Sequence, residues 1–209
     1  MKRLHIALIL LAAAVLVASC AHSPASGWVT LIDGEKGLEN FERIGDANWR
    51  AERGAIVADL GKGSSHLVTK NSYKDFELVA EFWADTTTNS GIFLRAADPK
   101  KVGADSAYEV NIFDQRPGQE YATGAIVDFA KVPVPLIYLA GDGKGGGKWN
   151  SFKISAKGPH ITVDFNGVRT VHLQDSKFAA GPFTLQFANG PKDAPGGPIK
   201  WRKVMVKPP

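Results

Sequence analysis

The chain has a single cysteine, Cys20, in 209 residues. One thiol excludes an intramolecular disulfide, so the fold must be stabilised by the burial of side chains. The sequence also lacks a marked excess of one charge, with 25 lysines and arginines against 21 acidic residues. This balance does not provide the concentrated positive surface that nucleic-acid-binding proteins need.

The first twenty residues differ in composition from the rest. Met1-Lys2-Arg3 precedes an apolar run from Ile6 to Val17, which is short for a membrane span and is followed by small residues. This pattern predicts an export signal over residues 1–19. Val17-Ala18-Ser19-Cys20 resembles a lipobox, which predicts a lipid on Cys20 and a membrane anchor. An ordinary cleaved signal with an incidental cysteine is the alternative.

Residues 20–27 are short, small and polar, which predicts a tether between the lipid and the fold. Ala21 follows the cysteine, where an aspartate commonly marks retention at the inner membrane in Gram-negative lipoproteins. We therefore expect an exported lipoprotein, facing the periplasm or the cell surface, most naturally at the outer membrane.

Helical periodicity is scarce after the apolar start. Short segments with alternating apolar and polar residues recur instead, separated by Gly, Pro, Asn and Asp. This pattern predicts a single all-β domain over residues 28–209, either a sandwich or a jelly roll. Within it, Asn166-Gly167 predicts a tight hairpin, because these residues tolerate the positive φ angles of a type I′ turn.

Strand alternation predicts a mixed polar and aromatic face in the middle of the chain. Its members, if the segments 76–84, 91–95 and 107–113 share a sheet, are Trp83, Phe93, Arg95, Glu109, Asn111 and Phe113. Such a face suits sugars, whose hydroxyls need directional hydrogen bonds and whose C–H faces stack on rings. The alternative is an ordinary cross-strand ion pair between Arg95 and Glu109 on a solvated sheet.

Several ordered motifs extend this interpretation to the whole chain after the signal. They are Thr30-Leu31-Ile32-Asp33-Gly34, Tyr73-Lys74-Asp75-Phe76-Glu77-Leu78, Asn89-Ser90-Gly91-Ile92-Phe93-Leu94-Arg95, Tyr108-Glu109-Val110-Asn111-Ile112-Phe113-Asp114, Thr123-Gly124-Ala125-Ile126 and Trp149-Asn150. Together they resemble the 3-keto-disaccharide hydrolase domain family. The resemblance implies a concanavalin-like jelly-roll β-sandwich of two antiparallel sheets, and an enzyme that acts on glycosides or disaccharides of 3-keto sugars.

The chemistry implied by this resemblance starts from the ketone, which makes the hydrogen on C2 acidic. Removal of that proton, loss of the C1 substituent and addition of water give a net hydrolysis. It requires a base, an acid and a donor to the enolate oxygen. We expect Glu109 and Asp114 to be the base and acid in an order that the sequence leaves open. Arg95 is the expected cation for a substrate oxygen, and Lys131 a weaker second electrophile.

The remaining predicted contacts bind the substrate. They are hydrogen bonds from Asn89, Asn111 and Gln186, and stacking on Trp83 or Phe113. No cofactor is predicted, and no spacing of histidines or acids indicates zinc or singles out calcium, although loop acids could hold the latter. The glycine-rich run from Gly141 lacks the strand-to-helix context of a nucleotide site.

Two other classes of function remain open from the sequence. A noncatalytic carbohydrate-binding module would use the same face without converging acid and base groups, and a structural envelope protein would leave it unoccupied. For the enzyme, the expected partners are a carbohydrate substrate and, functionally, an oxidoreductase that introduces the ketone. No nucleic-acid partner is expected.

Overall fold

The computed structural model describes residues 27–132 and 147–209. The predicted signal, Cys20 and the tether up to residue 26 lie outside the described residues, as does the glycine-rich run up to residue 146. Within the described part, no helix is long and apolar enough to cross a membrane.

The regular structure of the described residues consists of thirteen strands and three short 3-10 helices. The strands are β1 (Val29–Asp33), β2 (Phe41–Ile44), β3 (Arg50–Glu52), β4 (Ala55–Ala58), β5 (Ser64–Thr69), β6 (Phe76–Ala84), β7 (Ser90–Leu94), β8 (Tyr108–Ile112), β9 (Lys148–Lys157), β10 (His160–Phe165), β11 (Val168–Gln174), β12 (Thr184–Ala188) and β13 (Ile199–Lys207). The 3-10 helices are Leu38–Asn40, Gln119–Tyr121 and Pro191–Asp193.

The strands form two antiparallel sheets. An eight-stranded sheet has the order β11-β10-β9-β6-β13-β4-β3, with β1 paired to β13, and a five-stranded sheet has the order β2-β5-β12-β7-β8. The predicted all-β architecture with two antiparallel sheets is therefore confirmed. The predicted hairpin is also present between β10 and β11, where Asn166 and Gly167 have φ angles of 48° and 82°.

The core lies between the two sheets. Alternation along β6 buries every second residue from Phe76 to Ala84 against the other sheet. Phe82 contacts the rings of Phe152 and Trp201, with centroids 5.1 and 5.6 Å away. With no disulfide among the described residues, this aromatic packing supplies much of the apolar burial that stabilises the sandwich.

The chain changes sheets between β6 and β7, contrary to the expectation that segments 76–84, 91–95 and 107–113 share one. β6 belongs to the eight-stranded sheet, whereas β7 and β8 pair in the five-stranded sheet. A turn after Ala84 causes the change: the Asp85 carboxylate accepts the Thr87 N–H at 2.8 Å, and the Asp85 carbonyl accepts the Thr88 N–H. Sequence neighbours therefore lie on opposite sides of the core.

The five-stranded sheet is buried on both of its faces in its central part. All residues of β7, β8 and β12, and all but the first of β5, are buried. The side chains that face the core are mostly apolar, for example Leu67, Val110 and Leu185. The opposite face carries mostly polar side chains. Polar groups on the outer face of an antiparallel sheet are usually exposed to solvent, but here they are buried.

Candidate functional site

Two rows of paired residues cross the five-stranded sheet on the side that points away from the core. We call this side the site face. The first row contains Glu42, Val68, Thr184, Phe93 and Glu109. The second row contains Ile44, His66, Gln186, Gly91 and Asn111; Gln186 lies opposite Gly91 because the register of β12 with β7 continues to the Asn89–Ala188 bridge. Because paired residues share a face, the register alone brings these side chains side by side.

Glu109 is the buried acid of the site face. Its residue is 9% exposed, and no donor in the part of the chain that the structure describes hydrogen-bonds to its carboxylate. Burial raises the pKa of Glu109 to about 7; the charge of Arg116 opposes this rise, and that of Asp128 adds to it. A carboxyl group that titrates near neutral pH is suited to take up and return protons as a general base.

Two amide side chains flank Gly91 in the second row. Asn111 donates from Nδ2 to the Tyr121 carbonyl at 2.6 Å, and Gln186 donates from Nε2 to Ser64 Oγ at 3.0 Å. The other amide atoms, Asn111 Oδ1 and Gln186 Oε1, are buried without a partner in residues 27–132 and 147–209. A buried acceptor without a donor is costly, so hydroxyl groups of a ligand fit these two positions.

Gly91 lies between the two amides, where neighbouring atoms approach its backbone closely. A Cβ atom at this position would lie 3.5 Å from Glu109 Cγ and from the ring of Phe93, and 3.0 Å from the Val110 carbonyl oxygen. A side chain here would therefore occupy the space beside the Glu109 carboxylate. Glycine therefore keeps the space between Gln186 and Asn111 free of a side chain.

His66 is an additional member of the site face. Its ring is bonded through Nδ1 to Thr184 Oγ1 and through Nε2 to Ser64 Oγ, both at 2.9 Å. It also meets the edge of Phe93, with centroids 5.0 Å apart. Burial lowers the pKa of His66 to about 4. The imidazole is therefore neutral at physiological pH. It links the side chains of Thr184 and Ser64, and Ser64 in turn accepts the Gln186 amide N–H.

Asp114 lies in the loop after β8 and holds that loop closed. Its carboxylate accepts the Thr123 hydroxyl at 2.6 Å, and Thr123 Oγ1 in turn accepts the Phe113 N–H at 3.0 Å. Asp114 is 5% exposed. Asp114 therefore helps to fix the conformation of the loop. The sequence does not distinguish Asp114 from Glu109, but in the structure the Asp114 carboxylate accepts a hydrogen bond from Thr123, whereas the Glu109 carboxylate accepts none from the described residues.

Arg95 does not join Glu109 on the site face, and its predicted role as a substrate-binding cation is wrong. Its φ angle of 54° breaks the alternation at the end of β7, so the side chain leaves the face on which alternation places it. The guanidinium is 1% exposed and donates to the carbonyls of Lys74 and Gly158 at 2.7 and 2.8 Å. Its ion-pair partner is Asp75, not Glu109.

Trp83 is also remote from Glu109, because it lies on the outer face of the eight-stranded sheet. There Lys200 Nζ lies 4.2 Å from the centroid of its ring. Trp83 lines a cleft of about 360 Å³ with Trp149 and Arg50, among others. Its predicted stacking against a sugar held at Glu109 is therefore wrong.

Three further residues predicted to contact the substrate, Asn89, Phe113 and Lys131, lie near the five-stranded sheet, and two of them already have partners in the protein. Asn89 donates to the Asn189 carbonyl at 2.6 Å and so joins the ends of β7 and β12. Phe113 directly follows β8 and is 5% exposed. Lys131 is 61% exposed and lies 3.9 Å from Glu120; the segment before it forms isolated bridges at Ile126 and no regular strand.

Sequence reasoning missed His66 and Arg116. His66 lies in β5 next to Leu67, which faces the core, so strand alternation could have placed His66 on the site face. The spacing of histidines in a sequence indicates only whether they could bind a metal together. It does not indicate that a neutral histidine helps to hold the Gln186 amide. Arg116 follows β8 by four residues, and no periodic pattern indicates where a loop side chain points.

The fold and the buried polar face define a β-sandwich of the kind found in carbohydrate-recognising proteins. The model of the 3-keto-alpha-glucoside-1,2-lyase-like domain matches residues 27–207. The chain therefore belongs to this family, which confirms the resemblance in its motifs and supports a function related to carbohydrates. A comparison with curated proteins found no match.

Three solved structures illustrate the fold. A candidate glycosyl hydrolase from Parabacteroides distasonis is 17% identical with a TM-score of 0.70, covering 88% of this chain and 95% of that one. The carbohydrate-binding module CBM66 from Bacillus subtilis is 16% identical with a TM-score of 0.57, covering 87% and 95%. A Bacillus subtilis protein of unknown function with a galectin-like fold is 10% identical with a TM-score of 0.58, covering 85% and 93%. These likenesses confirm the predicted jelly-roll architecture.

The side chains of the described residues do not form a metal-binding cluster. Residues 27–132 and 147–209 contain no group of three or more His, Cys, Asp or Glu side chains arranged to hold a metal ion.

Proposed function

We propose that this protein cleaves glycosides of 3-keto sugars, and that Glu109 removes the proton from C2 of the sugar. The observation that carries the proposal is a buried carboxyl group without a hydrogen-bond donor among the described residues, with a pKa near neutral, beside two unpartnered amide oxygens. Membership of a family named for a 3-keto-glucoside lyase supports the choice of substrate.

The proposed reaction conserves atoms and electrons at each step. The Glu109 carboxylate takes the C2 proton, and the electron pair moves into the carbonyl at C3 to form an enolate. The pair then returns to form a C1–C2 double bond while the C1–O bond breaks, and the departing oxygen is protonated. Water adds across this double bond, with its oxygen to C1 and a proton to C2. The net change is hydrolysis of the glycoside.

The site face supplies binding groups for this reaction. Asn111 Oδ1 and Gln186 Oε1 accept hydroxyl groups of the sugar, which lies over Gly91. Phe93 provides an apolar wall, and His66 with Ser64 keeps the Gln186 amide in one orientation. Fixed acceptors accelerate the reaction because the groups need not reorganise when the substrate binds.

The test compares Glu109→Gln with the wild type on matched 3-keto and unmodified glycosides. Glu42→Gln is the matched control, because Glu42 lies in the same row of the sheet but is exposed. We expect wild type and Glu42→Gln to cleave the 3-keto series only, and Glu109→Gln to lose turnover. Unchanged turnover in Glu109→Gln would remove this residue from the mechanism.

A noncatalytic carbohydrate-binding module is the second candidate function. The carbohydrate-binding module from Bacillus subtilis has the same architecture, and unpartnered amide oxygens would serve recognition as well as catalysis. Calorimetry on the same matched glycosides separates the two. Binding without turnover by the wild type would favour the module.

The cellular setting is a further part of the proposal. We infer that a signal over residues 1–19 is removed, that Cys20 carries the lipid and that the protein faces the periplasm or the surface from the outer membrane. A partner oxidoreductase would supply the 3-keto substrate. Metabolic labelling with a radioactive fatty acid tests the anchor, since Cys20→Ser would abolish labelling of the full-length chain.

A further inference from the structure

We propose that Arg116 is the cation that stabilises the negative charge on the C3 oxygen of the substrate while Glu109 removes the C2 proton. This inference rests on the proposed function and adds a catalytic residue to it. It assigns to Arg116 the role that the sequence suggests for Arg95.

The loop that carries Arg116 is fixed at both of its ends. At the start, the Phe113 N–H donates to Thr123 Oγ1, and the Thr123 hydroxyl donates to the Asp114 carboxylate. At the far end, Asn111 Nδ2 holds the Tyr121 carbonyl at 2.6 Å. Both ends of the loop are therefore tied to β8, the strand that bears Glu109, while most residues at its tip are exposed.

The Arg116 side chain is partly buried in this loop. Its Nε atom is buried without a hydrogen-bond partner among the described residues, where Arg116 forms no ion pair either. A guanidinium donor that is withdrawn from water and left unpaired is costly. It fits an oxygen atom that arrives with the substrate.

Arg116 lies close enough to Glu109 to act on it electrostatically, but the two side chains do not form an ion pair. Its positive charge lowers the pKa of Glu109 against the larger effect of burial. We infer that the substrate lies between this base and this cation. During proton removal the negative charge moves from the carboxylate to the C3 oxygen, and one nearby guanidinium stabilises both positions.

The two cations that the sequence favours for the reaction are already engaged. Arg95 is buried against the backbone carbonyls of Lys74 and Gly158. Lys131 is mostly exposed and lies near Glu120 and the ring of Tyr121. Unlike Arg95 and Lys131, Arg116 combines a buried donor that is unpaired among the described residues with an effect on Glu109.

The test measures turnover of a 3-keto glycoside by Arg116→Met, Arg116→Gln and Arg116→Lys. Arg53→Met is the control, since the Arg53 side chain is 91% exposed. We expect the Met and Gln variants to lose about 100- to 1000-fold in kcat, the effect typical of removing one donor to a developing oxyanion. The Lys variant keeps the charge and should recover part of this loss, while the control turns over as wild type.

The pH profile of kcat/KM provides a readout that a purely structural residue would not change. Without Arg116 the pKa of Glu109 should rise, so the acidic limb of the profile moves to higher pH in Arg116→Met but not in Arg53→Met. Carbon-13 NMR titration of the Glu109 carboxyl group measures the same shift without turnover, on any Arg116 variant that folds.

The outcomes separate this inference from the function on which it rests. Wild-type turnover together with an unchanged kcat and an unchanged Glu109 titration in the Arg116 variants would overturn the role of Arg116 alone. A wild type that cleaves no 3-keto glycoside would overturn the proposed function and this inference with it.

Discussion

The buried carboxyl group of Glu109 should make the stability of the protein depend on pH, and Glu109→Gln should remove that dependence. The folded state holds the pKa of Glu109 at about 7, whereas the unfolded value is 4.5. Below pH 4.5 the group is protonated in both states, so it costs nothing. As the pH rises through 7, ionisation is easier in the unfolded chain, so the folded state loses stability.

The size of the effect follows from the difference between these two pKa values. Each pKa unit corresponds to about 1.36 kcal/mol, so a rise from 4.5 to about 7 gives roughly 3 kcal/mol of stability lost between about pH 4.5 and pH 8. Glutamine occupies nearly the same volume and does not ionise. Glu109→Gln should therefore be more stable than wild type at pH 8, by roughly 3 kcal/mol more than at pH 4.5.

Urea unfolding at pH 4.5, 6 and 8 measures this prediction. The free energy of unfolding of Glu109→Gln minus that of wild type should grow steadily across the series. The exposed Glu42→Gln variant should stay close to wild type at every pH. A difference between Glu109→Gln and wild type that does not change with pH would refute the reasoning, because it would mean that the folded state does not penalise the ionised carboxylate.

Further predictions concern four other positions. Gly91→Ala should weaken 3-keto-glycoside turnover or binding by about 10- to 200-fold, the effect of one methyl group in a fitted pocket, while circular dichroism shows an intact fold. Arg95→Met should lower the free energy of unfolding by about 3 kcal/mol, because it removes the hydrogen bonds of a buried guanidinium to the Lys74 and Gly158 carbonyls. The fraction of this variant that folds should still show normal kcat by active-site titration. NMR titration of His66 should show a neutral ring down to about pH 4. Trp83→Ala should leave KM for the glycoside unchanged, since its ring lies on the other sheet.

Most of the fold could be predicted from local patterns. The alternation in Phe76–Ala84 and the Asn166-Gly167 turn correctly indicated strands and a hairpin, because period and turn chemistry are local properties. Which strands share a sheet is not a local property. The turn at Asp85 moves the chain across the core, and the position of Trp83 depends entirely on that crossing.

The site was predicted in part for the same reason. Glu109 and Asn111 share a face because they are two residues apart in one strand, and their pairing with β7 follows from a simple hairpin-like order. The prediction for Arg95 failed because its positive φ angle ends the strand alternation one residue earlier than the sequence pattern suggested. His66 and Gln186 lie on strands far apart in sequence, so only the sheet order brings them to Glu109.

Proton removal from C2 by Glu109 is the central claim, and turnover in heavy water tests it most directly. Mass spectrometry and NMR of the released 3-keto sugar at early times should find deuterium at C2 whenever the wild type cleaves the glycoside. Glu109→Gln should neither cleave the glycoside nor exchange this hydrogen. Cleavage by the wild type that leaves C2 unlabelled, and that is not slowed when C2 of the substrate carries deuterium, would contradict the account, because the glycosidic bond would then break without removal of the C2 hydrogen.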